Sequence, residues 1–160
     1  TNVREVLPTI VSRMRIVKFR NFSDSFLSHA LKDFFPDADE ETLKQVTALS
    51  MGKSGRAFKL MRDGELLSHF RKIYNDALRL LATEAISEKF SYVKGLYEDA
   101  DLTNDFLDVL LHVLRSRVIS DREHDKISCL KNIETVQSTI SLLKKNVNAR
   151  IALENLMLSL

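Results

Sequence analysis

Glycine and proline are scarce in this chain: 4 Gly and 2 Pro in 160 residues. Sandwiches, barrels and disordered tails depend on frequent turns or on low hydrophobicity, and this chain has neither, with 44% hydrophobic and 29% charged residues. Abundant Leu, Lys, Glu and Ala point instead to an all-α fold. A chain of this length buries roughly 70% of its unfolded surface, so it needs no metal or disulfide to support a core. The single Cys129 has no internal disulfide partner, and no Cys/His cluster suggests a thiolate metal site. A reducing, cytoplasmic setting is therefore expected.

The most apolar stretch, Phe106 to Leu114, carries Asp108 and His112 and falls far short of the roughly 20 residues that span a bilayer. No membrane partner is expected. The net charge of +2 is unevenly spread: residues 1 to 20 hold Arg4, Arg13, Arg15, Lys18 and Arg20 against Glu5, a local +4, and the remainder sums to −2. The chain begins with Thr1 in the middle of what reads as a structural element, which points to a fragment of a longer protein.

The run from Val6 to Ser12 is helix-compatible but broken by Pro8, and Met14 to Phe19 alternates as a short strand does. A lone strand is not stable, so this stretch reads as a remnant of an α/β core. Ser23 is a good N-cap for a helix carrying Phe26, Leu27, Ala30, Leu31 and Phe34 and ending before Pro36. Asp39 caps a second helix on Leu43, Val46 and Leu49, which Gly52 stops. Ser54 starts a third, with Ala57, Phe58, Leu60 and Met61, ending near Gly64. Beyond it the apolar spacing lengthens into five helices. Their seams are Leu66-Phe70-Ile73-Ala77-Leu80, Ile86-Phe90-Val93-Tyr97, Phe106-Leu110-Val113-Leu114, Cys129-Ile133-Val136-Ile140-Leu143 and Leu153-Leu156-Met157-Leu160. Leu107, Leu111, Val118, Ile151 and Leu158 lie off these seams. They suggest association with other chains, unless the bundle encloses its own central helices.

Chemistry-bearing motifs are few. Gly52-Lys53-Ser54 lacks the glycine five residues earlier that a phosphate-binding loop needs, because Thr47 stands there, and no strand precedes it. The four histidines sit on separate segments without metal-ligand spacing. Asp99, Asp101 and Asp105 read as capping and turn residues, since no glycine or later bidentate Glu completes a calcium loop. Arg13 lies between an apolar helix end and the strand, where it would project from a sheet edge. Arg56 stands in the first turn of a helix, where a cation opposes the helix dipole unless it shares an anion. Solvated or ion-paired arginines remain the plain alternative for both.

Leu7-Pro8-Thr9-Ile10-Val11-Ser12-Arg13 followed by a basic strand resembles the Ser-Arg-Cys segment of clamp-loader subunits, members of the AAA+ superfamily. Gly52-Lys53-Ser54-Gly55-Arg56-Ala57-Phe58-Lys59-Leu60 resembles the sensor 2 helix of their lid. Asn148-Ala149-Arg150-Ile151-Ala152-Leu153-Glu154 is similar to the Asn-Pro-Arg-Leu-Ala-Leu-Glu segment opening the last collar helix, typical of delta-prime subunits of bacterial DNA polymerase III. The three segments follow the family order along the whole chain. The resemblance implies the end of an AAA+ core in residues 1–20, a three-helix lid in 21–63 and a helical collar for oligomerisation in 64–160.

It further implies that Arg13 is an arginine finger acting in trans on a neighbouring subunit's ATP and Mg site, with Ser12 and Arg56 as candidate phosphate contacts. The implied partners are gamma/tau-type and delta clamp-loader subunits and primed DNA. No cofactor and no self-contained active site are expected in the fragment. Met14 departs from the family's Cys and Ala149 from its Pro. Delta-prime subunits often bind no nucleotide, which leaves the role of Arg56 open. Two other readings remain: an ATP-hydrolysing gamma/tau-type subunit, and a helical DNA-binding or adaptor module. Against the adaptor, the basic residues gather in the first 20, and no helix-turn-helix pattern with a basic recognition helix is present.

Overall fold

The computed structural model describes residues 7–15, 17, 21–120 and 126–160. Helices α1 (Pro8–Val11), α2 (Asp24–Phe34), α3 (Glu40–Ser50), α4 (Ser54–Arg62), α5 (Gly64–Ala82), α6 (Ile86–Leu96), α7 (Ala100–Ser120), α8 (Lys126–Lys144) and α9 (Ala149–Ser159) make the fold all-α, with no strand among the described residues. Most of the strand expected from Met14 to Phe19 lies outside them, and Met14, Arg15 and Val17 are not extended into one.

Helix starts follow side-chain chemistry. Ser23 Oγ accepts the Phe26 amide and Asp39 Oδ1 the Thr42 amide, so both expected caps are in place. Pro8 does not break a helix but opens α1, where its missing N–H costs nothing and its fixed φ suits the first turn. The α3 terminus departs from expectation in detail. Met51 already turns left-handed (φ 55°), and Gly52 follows at φ 71°. Gly52 has a second duty, since its carbonyl accepts the Phe22 amide at 2.9 Å. A Cβ there would stand 2.7 Å from the Phe22 carbonyl oxygen.

Helix α4, the third short helix expected from the sequence, ends close to Gly64, at Arg62. Asp63 closes α4 by donating its amide to the Lys59 carbonyl, and it also caps α5 by accepting the Leu66 amide at 2.9 Å. One residue thus separates the last short helix from the first long one. Asn146 (φ 57°) ends α8 in a left-handed turn in which the Val147 amide reaches the Leu142 carbonyl and the Asn146 amide that of Leu143. Asn148 then caps α9 by accepting the Ile151 amide.

The core is one continuous cluster running from Leu27 and Leu31 through Phe70 and Leu110 to Leu156 and Met157. Helix α7 is its axis: Phe106, Leu107, Val109, Leu110, Val113 and Leu114 are all buried, with α5 and α8 packed along it. Helix α9 rests on α6 and α8. Leu107 therefore serves the interior, whereas Ile151 and Leu158 on α9 are exposed. In α6 the buried face is Lys89, Val93 and Leu96, with Ile86 outside.

Two substitutions probe this arrangement. Leu110→Ala should lower stability by about 2–5 kcal/mol in denaturant unfolding, because a fully buried side chain leaves a cavity. Gly52→Ala should cost about 2 kcal/mol, since it combines left-handed strain with the clash on Phe22. A loss below a few tenths of a kcal/mol would mean that the Asn21-Phe22 segment is not seated on Gly52.

Candidate functional site

Helix α4 begins badly by itself. Its N-cap position is Lys53, no side chain caps it, and no acidic residue stands in its first turn. Its third residue, Arg56, adds a cation where the dipole is already positive. The anion that compensates comes from α7. Asp108 Oδ2 accepts Lys53 Nζ at 2.7 Å and Arg56 Nη2 at 3.3 Å. Arg56 is further held by an Nη1 contact to Met51 Sδ at 3.3 Å and by the Phe70 ring of α5, 4.7 Å below its guanidinium. Its side chain is only 17% exposed, against 43% for Asp108 and 44% for Lys53.

Electrostatics at the cluster follow from this placement. Partial burial raises the Asp108 carboxyl, but the hydrogen bond and charge of Lys53, joined by Arg56, outweigh it and leave the group below its ordinary value. One turn on, His112 is depressed, first by burial and then by Arg115, Arg56 and Lys53, with Asp24 opposing them. On a half-exposed carboxylate each ion pair is worth about 0.2–1 kcal/mol, and a ring-stacked guanidinium about 0.5–1 kcal/mol. A neighbouring pair brings His69 Nε2 of α5 to 3.4 Å from Asp105 Oδ2. Asp99 caps α7 by accepting the Asp101 and Leu102 amides.

The expected site residues lie in two places. Ser12 and Arg13 follow α1 and are exposed, with Ser12 Oγ donating to the Thr9 carbonyl at 3.0 Å and the Arg13 amide to Ile10. The sheet edge expected beside Arg13 lies outside the described residues. Arg56 sits on α4, and no hydrogen bond or ion pair among the described residues joins it to Ser12 or Arg13. Lys53, Phe70, Asp105 and Asp108 were not legible as site residues. The one signal was a carboxylate, Asp108, interrupting the most apolar run of the chain. Cys129 is buried, as a seam residue would be. Among the described residues no group of His, Cys, Asp and Glu could hold a metal ion, and no helix is long and apolar enough to cross a membrane. Comparison with family models, curated proteins and solved structures finds no match to the chain.

Because the folded-state value of Asp108 is depressed, its stabilisation is present above its ordinary carboxylate value and is lost as pH falls through the depressed one. Between pH 6 and pH 3 the wild-type chain should therefore lose stability more steeply than Asp108→Asn. Parallel pH profiles of denaturant midpoint would show that Asp108 is not paired in solution.

Proposed function

We propose that the chain is the C-terminal part of a clamp-loader subunit of the delta-prime type, which helps place a sliding clamp on primed DNA. Support comes from where the three resembling segments fall on the helices. Ser12-Arg13 follows the short α1, Arg56 occupies the first turn of α4, and Asn148 caps α9 with Ala149 at the first helical position, which suits the Pro of the related motif. This last placement carries the proposal. A motif that opens a helix in the family opens one here, with its Asn bonded to the helix it starts.

In this reading residues 21–63 are the lid and 64–160 the collar, which binds gamma/tau-type and delta subunits. Exposed Ile127, Leu130, Ile151 and Leu158 supply apolar surface for that assembly. Arg13 would reach the ATP and Mg site of a neighbouring subunit and stabilise charge on the transferred phosphoryl group, as a planar guanidinium can. A gamma/tau-type subunit, in which Arg56 contacts nucleotide, is less favoured because the Arg56 guanidinium is already engaged by Met51, Phe70 and Asp108.

Two measurements test the proposal. Immobilised chain should capture gamma-type subunits through residues 64–160 with little salt dependence, since the contact would be apolar. In a reconstituted complex carrying the full-length subunit, Arg13→Ala should leave assembly intact, lower total ATPase partially and reduce clamp loading more, and Arg13→Lys should not restore it. Loss of an arginine finger lowers the rate of the affected site by about 10³–10⁵-fold. Failure to bind any clamp-loader subunit would leave a helical adaptor as the better description, and wild-type loading by Arg13→Ala would make Arg13 an ordinary surface residue.

A further inference from the structure

Asp63 is a joint without slack, extended at φ −125°, ψ 98° between two helices. A single residue fixes where α4 leaves the long helices but does not hold its angle, so contacts away from the joint must do that. At the opposite end of α4, roughly 13 Å away along nine residues of helix, Lys53 and Arg56 both meet Asp108. A contact at the far end of a lever resists rotation better than one near the pivot.

That end of α4 is also a node. The Asn21 side-chain amide donates to the Met51 carbonyl and the Phe22 amide to that of Gly52, so residues 51–53 tie the entry to α2, the end of α3 and the start of α4 together. A carboxylate that grips Lys53 and Arg56 grips all three helices. Asp108 stays 43% exposed, so water and salt can replace its partners without disturbing the apolar core. Asp105 on α7 and Lys144 on α8 line the same surface pocket as Asp108, and His112, one turn on, feels Asp24 on α2 and Arg115 on α7 besides Arg56 and Lys53.

We propose that Asp108 is a latch: it holds helices α2–α4 against α5 and α7, and its release lets these three helices open locally about Asp63 while α6–α9 stay folded. The inference does not use the clamp-loader proposal. Phe70, under the guanidinium, keeps Arg56 aimed at the latch in the closed state.

Amide hydrogen exchange of the 160-residue chain tests it. In Asp108→Asn, amides of α2–α4 should exchange about three- to tenfold faster while those of α6 and α9 keep wild-type rates. Lys53→Ala should give a smaller acceleration at the same amides. Wild-type chain in 1 M salt, where the screening length falls to about 3 Å, should move toward the variant. Unchanged exchange in α2–α4, or an equal acceleration in α6, α8 and α9, overturns the latch. If Asp108→Asn does not fold, the salt series of the wild-type chain decides, and salt-independent exchange in α2–α4 overturns it.

Discussion

The long helices of this molecule lean on α7. Its side chains from Phe106 to Leu114 are buried on more than one face, which is what a helix must do when it is the axis of a bundle rather than a wall of it. Helices α5 and α8 are placed by contact with it, and α9 closes the far side through α6 and α8. Most of the apolar surplus that α7 shows in sequence is consumed by this enclosure, although Ile119 near its end stays exposed. Exposed apolar side chains remain on α8 and α9 as well, at Ile127, Leu130, Ile151 and Leu158.

A helix so apolar can carry only a narrow polar stripe, and the chain uses it. Asp105 and Asp108, with His112 beyond them, occupy that stripe and face cations or imidazole from α4 and α5. The poor start of α4 and the intrusive carboxylate of α7 correct each other. An uncapped helix end with a first-turn arginine is unfavourable alone, and a half-buried aspartate beside leucines is unfavourable alone. Together they satisfy one another's charge across 52 residues of sequence.

Local chemistry made the helix starts readable. Ser23 and Asp39 are caps because a side-chain oxygen two or three residues before an amide can reach it, and that relation is written in the sequence. Breakers were less readable. Pro8 was read as an interruption, yet it opens a helix, because proline tolerates the first turn; the helix end expected near Gly64 is there, but Asp63 makes it and also caps α5. In α6 the seam through Ile86 gave way to one through Lys89, whose aliphatic stem can lie along apolar surface. The Asp108 cluster left only two separate marks in the sequence, a carboxylate in an apolar run and a first-turn arginine in want of an anion. Periodicity tells which face of a helix is apolar and says nothing of which distant helix will meet it.

The residue shared by α4 and α5 has a geometric consequence of its own. Each residue of an α-helix advances about 100° around its axis, so the two helices are geared to each other through Asp63 with no free turn between them. Chain length sets where Arg56 starts, and its contacts with Phe70 and Asp108 hold the angle. Gaining or losing one residue at this boundary would turn the cationic face of α4 by about 100° relative to α5. The joint between α4 and α5 is therefore sensitive to length.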